Sequence, residues 1–202
     1  MKKITKIVIT GGPCGGKTTA LERIRTVFSQ KGYTVIFIPE TATELILGGI
    51  APWTTDTNQD FQHCLLMLQC EKEQYFTWGA ERLKDGDKIL LVCDRGAMDN
   101  KAYTYNDEFS NILKLMNTTE EKLLSRYDAV FHLVTAAKSA EEFYTHANNA
   151  ARYETIDEAR ALDERLILAW KNHPNHIIID NSTDFEGKLN CLIDKISAYL
   201  EN

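Results

Sequence analysis

Residues 11–18 read Gly-Gly-Pro-Cys-Gly-Gly-Lys-Thr, the spacing G-x-x-x-x-G-K-[ST], and no other stretch restricts the fold so tightly. The β-branched run Ile4–Thr10 precedes it. Lys17–Gln30 follows, with Leu21, Ile24, Val27 and Phe28 at helical spacing. A strand, a glycine loop and a helix in that order aim consecutive amides at one point and add the positive end of a helix dipole, which makes a cradle for polyphosphate. Gly11, Gly15 and Gly16 allow a close approach that a Cβ would block. Gly12, Pro13, Cys14 and Thr19 complete the candidate binding segment. Lys17 is expected to reach the β and γ phosphates and the Thr18 hydroxyl to ligate Mg2+, so the expected ligand is ATP or GTP with Mg2+.

The alternation continues along the chain. Gly32 closes the first helix and Thr34–Ile38 reads as a strand. A long helix is expected over Asp60–Leu83, with Phe61, Leu65, Leu68 and Tyr75–Phe76 on its apolar side. Lys88–Cys93, Asp128–Val134 and His176–Ile179 read as further strands. Ala137–Trp170 reads as a charged helical stretch with a sparse stripe of Ile156, Leu162, Leu166 and Trp170, and Phe185–Leu200 as a closing amphipathic helix. Strands apolar on both faces, separated by helices, predict an α/β chain of the P-loop NTPase fold: a five-stranded parallel sheet flanked by helices, with a helical lid over about residues 138–170. Nothing repeats and no linker composition appears, so residues 1–202 are expected to form one domain. Ligands of such sheets lie beyond the C-terminal strand ends. That rule gathers the loop with Glu40, Asp94–Arg95, Thr135–Lys138 and Asn181–Thr183.

Charge and cysteine usage exclude other classes. The net charge is −6, yet residues 1–39 carry seven Lys/Arg against one acid, Glu22. An acidic chain lacks the basic face that phosphate-backbone contacts need, so no nucleic-acid partner is expected. Three of the early cations, Lys2, Lys3 and Lys6, precede the phosphate loop. Five cysteines, odd in number and without a C-x-x-C pair, suit a reducing compartment rather than a disulfide framework or zinc knuckle. The unbroken apolar runs, such as Cys64–Leu68 and Ile89–Cys93, are far short of a membrane span, and the N-terminus lacks a secretory pattern. A cytoplasmic protein, monomer or homodimer, is expected.

Asp94-Arg95-Gly96 ends the third strand, where a carboxylate commonly holds Mg2+ directly or through water. Motor-type ATPases place a water-polarising Glu after that Asp; here the position is Arg95. The D-x-x-G and N-K-x-D signals of GTPase switches are missing from their expected positions, and Asp184-Phe185-Glu186-Gly187 fits the first by letters alone. The Asp-Arg pair resembles the D-R or E-R element of thymidylate and deoxynucleoside kinases, and Glu40, after Ile38-Pro39, resembles their strand-two carboxylate. That resemblance implies Arg95 on phosphate or acceptor, Asp94 on Mg2+ and Glu40 as base, with Asp94 the alternative base. Arg152-Tyr153-Glu154 and the stretch through Arg160 and Arg165 resemble a kinase lid whose arginines close on the γ-phosphate.

Taken with Phe61-Gln62 and Asp180-Asn181-Ser182-Thr183, these marks are similar to those of the small AAA-labelled ATPase/kinase domains grouped with nicotinamide riboside kinase-like proteins. The resemblance implies Mg2+-dependent nucleotide binding, with Asn181 near the donor base. On the acceptor side it points to Glu40, Arg95 and Gln62, Gln69 or Glu73, with Trp53 or Phe61 available to stack on a ring. The expected activity is transfer of the γ-phosphoryl group to a hydroxyl of a nucleoside-like or other small metabolite, with Lys17, Glu40, Asp94, Arg95 and Arg152 as the catalytic set. The rival expectation is a nucleotide-binding switch or slow NTPase that engages a protein or an anionic lipid.

Overall fold

The computed structural model describes residues 2–138 and 155–201. Five strands, β1 (Lys3–Gly11), β2 (Thr34–Ile38), β3 (Lys88–Asp94), β4 (Ala129–Leu133) and β5 (His176–Ile179), form one sheet in the order β2-β3-β1-β4-β5. Every pairing is parallel, with Ile9 beside Asp94 on one flank and Phe131 on the other. The chain is therefore an α/β protein of the expected class. Alternation of side chains along β1 explains how one strand serves two layers. Ile7 and Ile9 face α1 (Lys17–Gln30) and α8 (Phe185–Glu201), packing with Ile24, Phe28, Leu192 and Ile196. Val8 faces the opposite layer, with Leu66 of α3 (Asn58–Glu81), Met98, Ile112 of α5 (Glu108–Leu115), Leu123 of α6 (Glu120–Leu124) and Trp170 of α7 (Ile156–Trp170).

Boundaries moved where caps, rather than periodicity, set them. Thr57 accepts from the Asp60 amide and starts α3 at Asn58, two residues before the apolar run suggested. Helix α7 starts at Ile156 because Thr155 and Glu158 form a reciprocal capping box. Ala137 and Lys138 lie in a turn, so the helical stretch expected from Ala137 is a helix only from Ile156 among the described residues, and 139–154 lie outside them. Asp128 and Val134 flank β4 rather than belong to it. Helices α2 (Thr41–Leu47), α4 (Asp99–Ala102), α5 and α6 were not anticipated, since none has more than eight residues, too few for apolar spacing to separate helix from loop.

Candidate active site

The phosphate loop links β1 to α1 and is fixed from both sides. Gly16 sits at φ 89° as the residue before α1, a left-handed conformation in which a Cβ would also press into the Phe185 ring. The end of α1 has no side-chain cap and no acidic residue in its first turn. Its first intrahelical bond is Ala20 N–H to Gly16 O at 3.0 Å, so the amides of Thr18 and Thr19 stand at an N-terminus left open to an anion. At the other end of the loop, the Gly12 amide donates to Asp163 Oδ1 at 3.0 Å, and a Cβ on Gly12 would lie 2.7 Å from that oxygen. The Thr135 hydroxyl donates to Pro13 O at 2.5 Å. Pro13, Cys14 and Gly15 fall within this same turn, between Gly11 at the end of β1 and Lys17 at the start of α1.

Asp163, on α7, is a buried hub. Its Oδ1 accepts from Gly12, from the Thr135 amide at 3.2 Å and from His132 Nε2 at 2.9 Å, while Lys138 Nζ lies 3.2 Å from Oδ2. Burial opposes ionisation, but His132 and Lys138 outweigh it and hold the carboxyl below its ordinary value. Sequence reasoning missed this residue within the run of lid charges. The available signal was its position on the apolar stripe Ala159, Leu162, Leu166 and Trp170.

Beyond the ends of β2 and β3 lies a second cluster. Arg95 Nε donates to Glu40 Oε1 at 2.6 Å, and the Thr43 hydroxyl donates to Glu40 Oε2 at 2.6 Å. Burial raises the Glu40 pKa, yet Arg95, Thr43 and Lys17 together bring it down to about 2. Arg95 takes φ 69°, uncommon for a side-chain-bearing residue. Its backbone is held there by Gln69 Nε2 on its carbonyl at 3.2 Å and by its own amide on Ile9 O at 3.1 Å. The next turn is tied down by buried Asp99, which accepts from Thr10, Gly96 and Trp170.

Asp94, in register with Ile9, has the opposite character. Its Oδ1 is buried with no hydrogen-bond partner. Burial, then the Glu40 and Asp99 charges, raise its pKa against Lys17 and Arg95. A sealed carboxylate oxygen without a donor, close enough for Lys17 to act on it, fits a hard cation, so Asp94 and the Thr18 hydroxyl are the residues that would hold Mg2+.

The other anticipated residues divide clearly. Gln62 is buried with its Oε1 unpaired, and Gln69 braces Arg95 and accepts from Asn100. Glu73 does not join them, because Tyr127 Oη and Arg126 Nε consume its carboxylate at 2.7 and 3.0 Å. Phe61 packs with Leu45 and Leu65 rather than facing a ligand, and Trp53 is exposed. The Asn181 side chain is spent on the Thr135 and Lys138 carbonyls and on Lys188, so what it offers a donor base is main chain. Arg160 reaches the Ala137 carbonyl at 2.7 Å. Arg152 lies outside the described residues. Phe185, which the sequence did not single out, lies against Gly16.

A parallel β2-β3-β1-β4-β5 sheet with a glycine loop and an uncapped helix end after its central strand defines a P-loop nucleotide-binding domain. Within that class the chain belongs to the AAA domain family, whose model matches residues 6–188. No curated protein matches the chain. Among the described residues, no helix is long and apolar enough to cross a membrane.

Proposed function

We propose that this domain is a Mg2+-dependent small-molecule kinase, transferring the γ-phosphoryl group of ATP or GTP to a hydroxyl of a nucleoside-like or other small metabolite. The observation that carries the reading is the Glu40–Arg95 pair beyond the strand ends, under the influence of the Lys17 charge and accompanied by unpaired Gln62 Oε1. A water-polarising Glu after Asp94, which hydrolysis would favour, is replaced by Arg95.

The acceptor oxygen attacks phosphorus, the bond to the β,γ-bridging oxygen breaks, the nucleoside diphosphate leaves, and the hydroxyl proton passes to Glu40. A carboxylate with a pKa of about 2 is a weak base. It serves in a loose transition state, where the hydroxyl becomes strongly acidic only once transfer is far advanced. Lys17 and Arg95, with Arg152 from the lid, stabilise charge on the transferring group. Thr18 and Asp94 would hold Mg2+, which would supply neutralisation of charge on the transferring phosphates.

Diphosphate release measured against a panel of nucleosides, ribosides and sugars tests the reading. Release should depend on one class of added acceptor and disappear in Lys17→Ala. Glu40→Gln should lower transfer about 100-fold with nucleotide affinity retained. Equal release without any acceptor would overturn it in favour of the second reading, a slow NTPase or switch that engages a protein or anionic lipid. That alternative is favoured by the exposure of Leu47 and Trp53, at 83% and 74%, on the segment that follows Glu40.

A further inference from the structure

Five buried side-chain atoms without a hydrogen-bond partner lie on β3 and on three helices packed over one face of the sheet: Asp94 Oδ1, Gln62 Oε1, Asn100 Oδ1, Asp163 Oδ2, which has the Lys138 ammonium beside it, and Arg165 Nε. The first four are acceptors. Arg165 is a cation, and its place in the fold differs from the one the lid resemblance implies. On α7 it follows Asp163 by two residues, which is about 200° of helix rotation. With Asp163 turned onto the Gly12 amide, Arg165 is turned away from the phosphate loop. Its guanidinium lies 5.3 Å from the centre of the Tyr105 ring instead.

That places Arg165 over the short stretch Tyr103–Tyr105, whose other tyrosine lies 5.8 Å from the Arg95 guanidinium. The stretch is held between the two helices that flank it. Leu162 and Leu166 pack on Ala102 and Tyr103, while Asn58 at the start of α3 donates to Tyr103 O at 3.0 Å. Two arginines therefore face the same three residues, but among the described residues only one has a counter-ion. Arg95 is neutralised by Glu40. Arg165 has no acid at i±3 or i±4 on α7, where Leu162, Ala161, Leu168 and Ala169 stand. On α7 Asp157 pairs with Arg160 and Glu164 with Lys138, and at the start of α5 Glu108 accepts from the Tyr105 amide and Asn58. Among the described residues, no ion pair or hydrogen bond reaches Arg165. A half-buried guanidinium that no carboxylate among the described residues meets is a binding group for an anion that arrives with a ligand.

We infer that the acceptor carries an anionic group, a phosphomonoester or a carboxylate, which Arg165 binds with Tyr105 stacked behind it, while the acceptor hydroxyl meets Glu40. The word acceptor rests on the kinase reading; the anion site does not.

The test is equilibrium binding to the full chain with Mg2+ and the β,γ-imido analogue of ATP already bound, so that the phosphate loop is filled. The probes are matched pairs differing in one anionic group: ribose and ribose 5-phosphate, cytidine and CMP, glycerol and glycerol 3-phosphate, glycerol and glycerate. At least one charged member should bind about tenfold more tightly than its neutral partner. Whether the phosphate or the carboxylate pair shows the gap names the anion. Arg165→Gln should erase the gap and Arg165→Lys should keep part of it, with affinity for the ATP analogue unchanged in both. Charged members that bind no better than neutral ones, including no binding at all, would overturn the inference, as would an equal gap in Arg165→Gln. Diphosphate release is followed in parallel: a gap that depends on Arg165 without transfer leaves the anion site standing and removes the kinase reading.

Discussion

Asp163 and Asp94 flank the same phosphate loop and are built in opposite ways. Asp163 Oδ1 accepts three hydrogen bonds from the loop, from β4 and from the turn after it, and Lys138 sits beside Oδ2. Asp94 Oδ1 is sealed from solvent and accepts none. The pKa directions follow, lowered for the first and raised for the second. A carboxylate with three donors of its own chain on one oxygen and a lysine beside the other is framework, whereas one with a buried oxygen that no donor or cation of its own chain meets is prepared for a ligand.

The comparison breaks if the two do not respond oppositely to removal of charge. Asp163→Ala should destabilise the fold by about 3–5 kcal/mol, because it leaves a buried imidazole and two buried amides without their acceptor. Denaturant unfolding measures it, and a loss under 1 kcal/mol would mean that the hub is replaceable. Asp94→Asn should instead leave the nucleotide-free protein as stable or about 1 kcal/mol more stable, since burial and the Glu40 and Asp99 charges disfavour its ionised form more than Lys17 and Arg95 favour it. The same variant should lose Mg2+-dependent turnover about 100-fold. A thermal shift without nucleotide, paired with a Mg2+ titration of activity, separates the two effects.

Acid sharpens the contrast within the Asp94 cluster itself. Glu40 has a folded pKa of about 2 against an ordinary 4.5, so its contribution to stability is full above 4.5 and is lost as pH falls toward 2. The upper bound is on the order of 3 kcal/mol. Asp94 has the reverse sign. Its raised pKa means that the folded state takes up a proton before the unfolded state does, so stability is gained as pH falls through the folded value toward 3.8. In melting curves between pH 2 and pH 6, Glu40→Gln should flatten the acid limb and Asp94→Asn should steepen it. Parallel curves for the two variants would show that neither charge is placed as described.

How far the sequence foretold this depends on chain separation. The phosphate loop was legible because strand, glycines, lysine and helix are contiguous, and local chemistry fixes all of them. Glu40, Asp94 and Arg95 could be located because strand ends are where parallel sheets keep their ligands. The pairing of Glu40 with Arg95 could not, because it rests on a positive φ at Arg95 braced by Gln69, 26 residues away. Asp163 was hidden differently. It stands 151 residues from Gly12, among Asp157, Glu158 and Glu164, which have the same chemistry and remain at the surface. Only its phase on the apolar stripe sets it apart. Arg165 misled for the same reason, since a lid arginine and an arginine facing the other way read identically until the helix is oriented.

The finest test of the comparison lies at the exposed edge of the filled site. Lys138 is 28% exposed and approaches Asp163 Oδ2, which has no well-aligned donor, so this contact is an ion pair rather than a directed hydrogen bond. Lys138→Met should therefore cost about 1 kcal/mol, far less than removal of the carboxylate. That cost should shrink as salt rises, because solvent reaches the ammonium, while the cost of Asp163→Ala should hardly change, because its other partners are buried. If the loss in Lys138→Met is large and insensitive to salt, Lys138 belongs to the buried framework, and the filled site depends on charge rather than on the three hydrogen bonds at Oδ1.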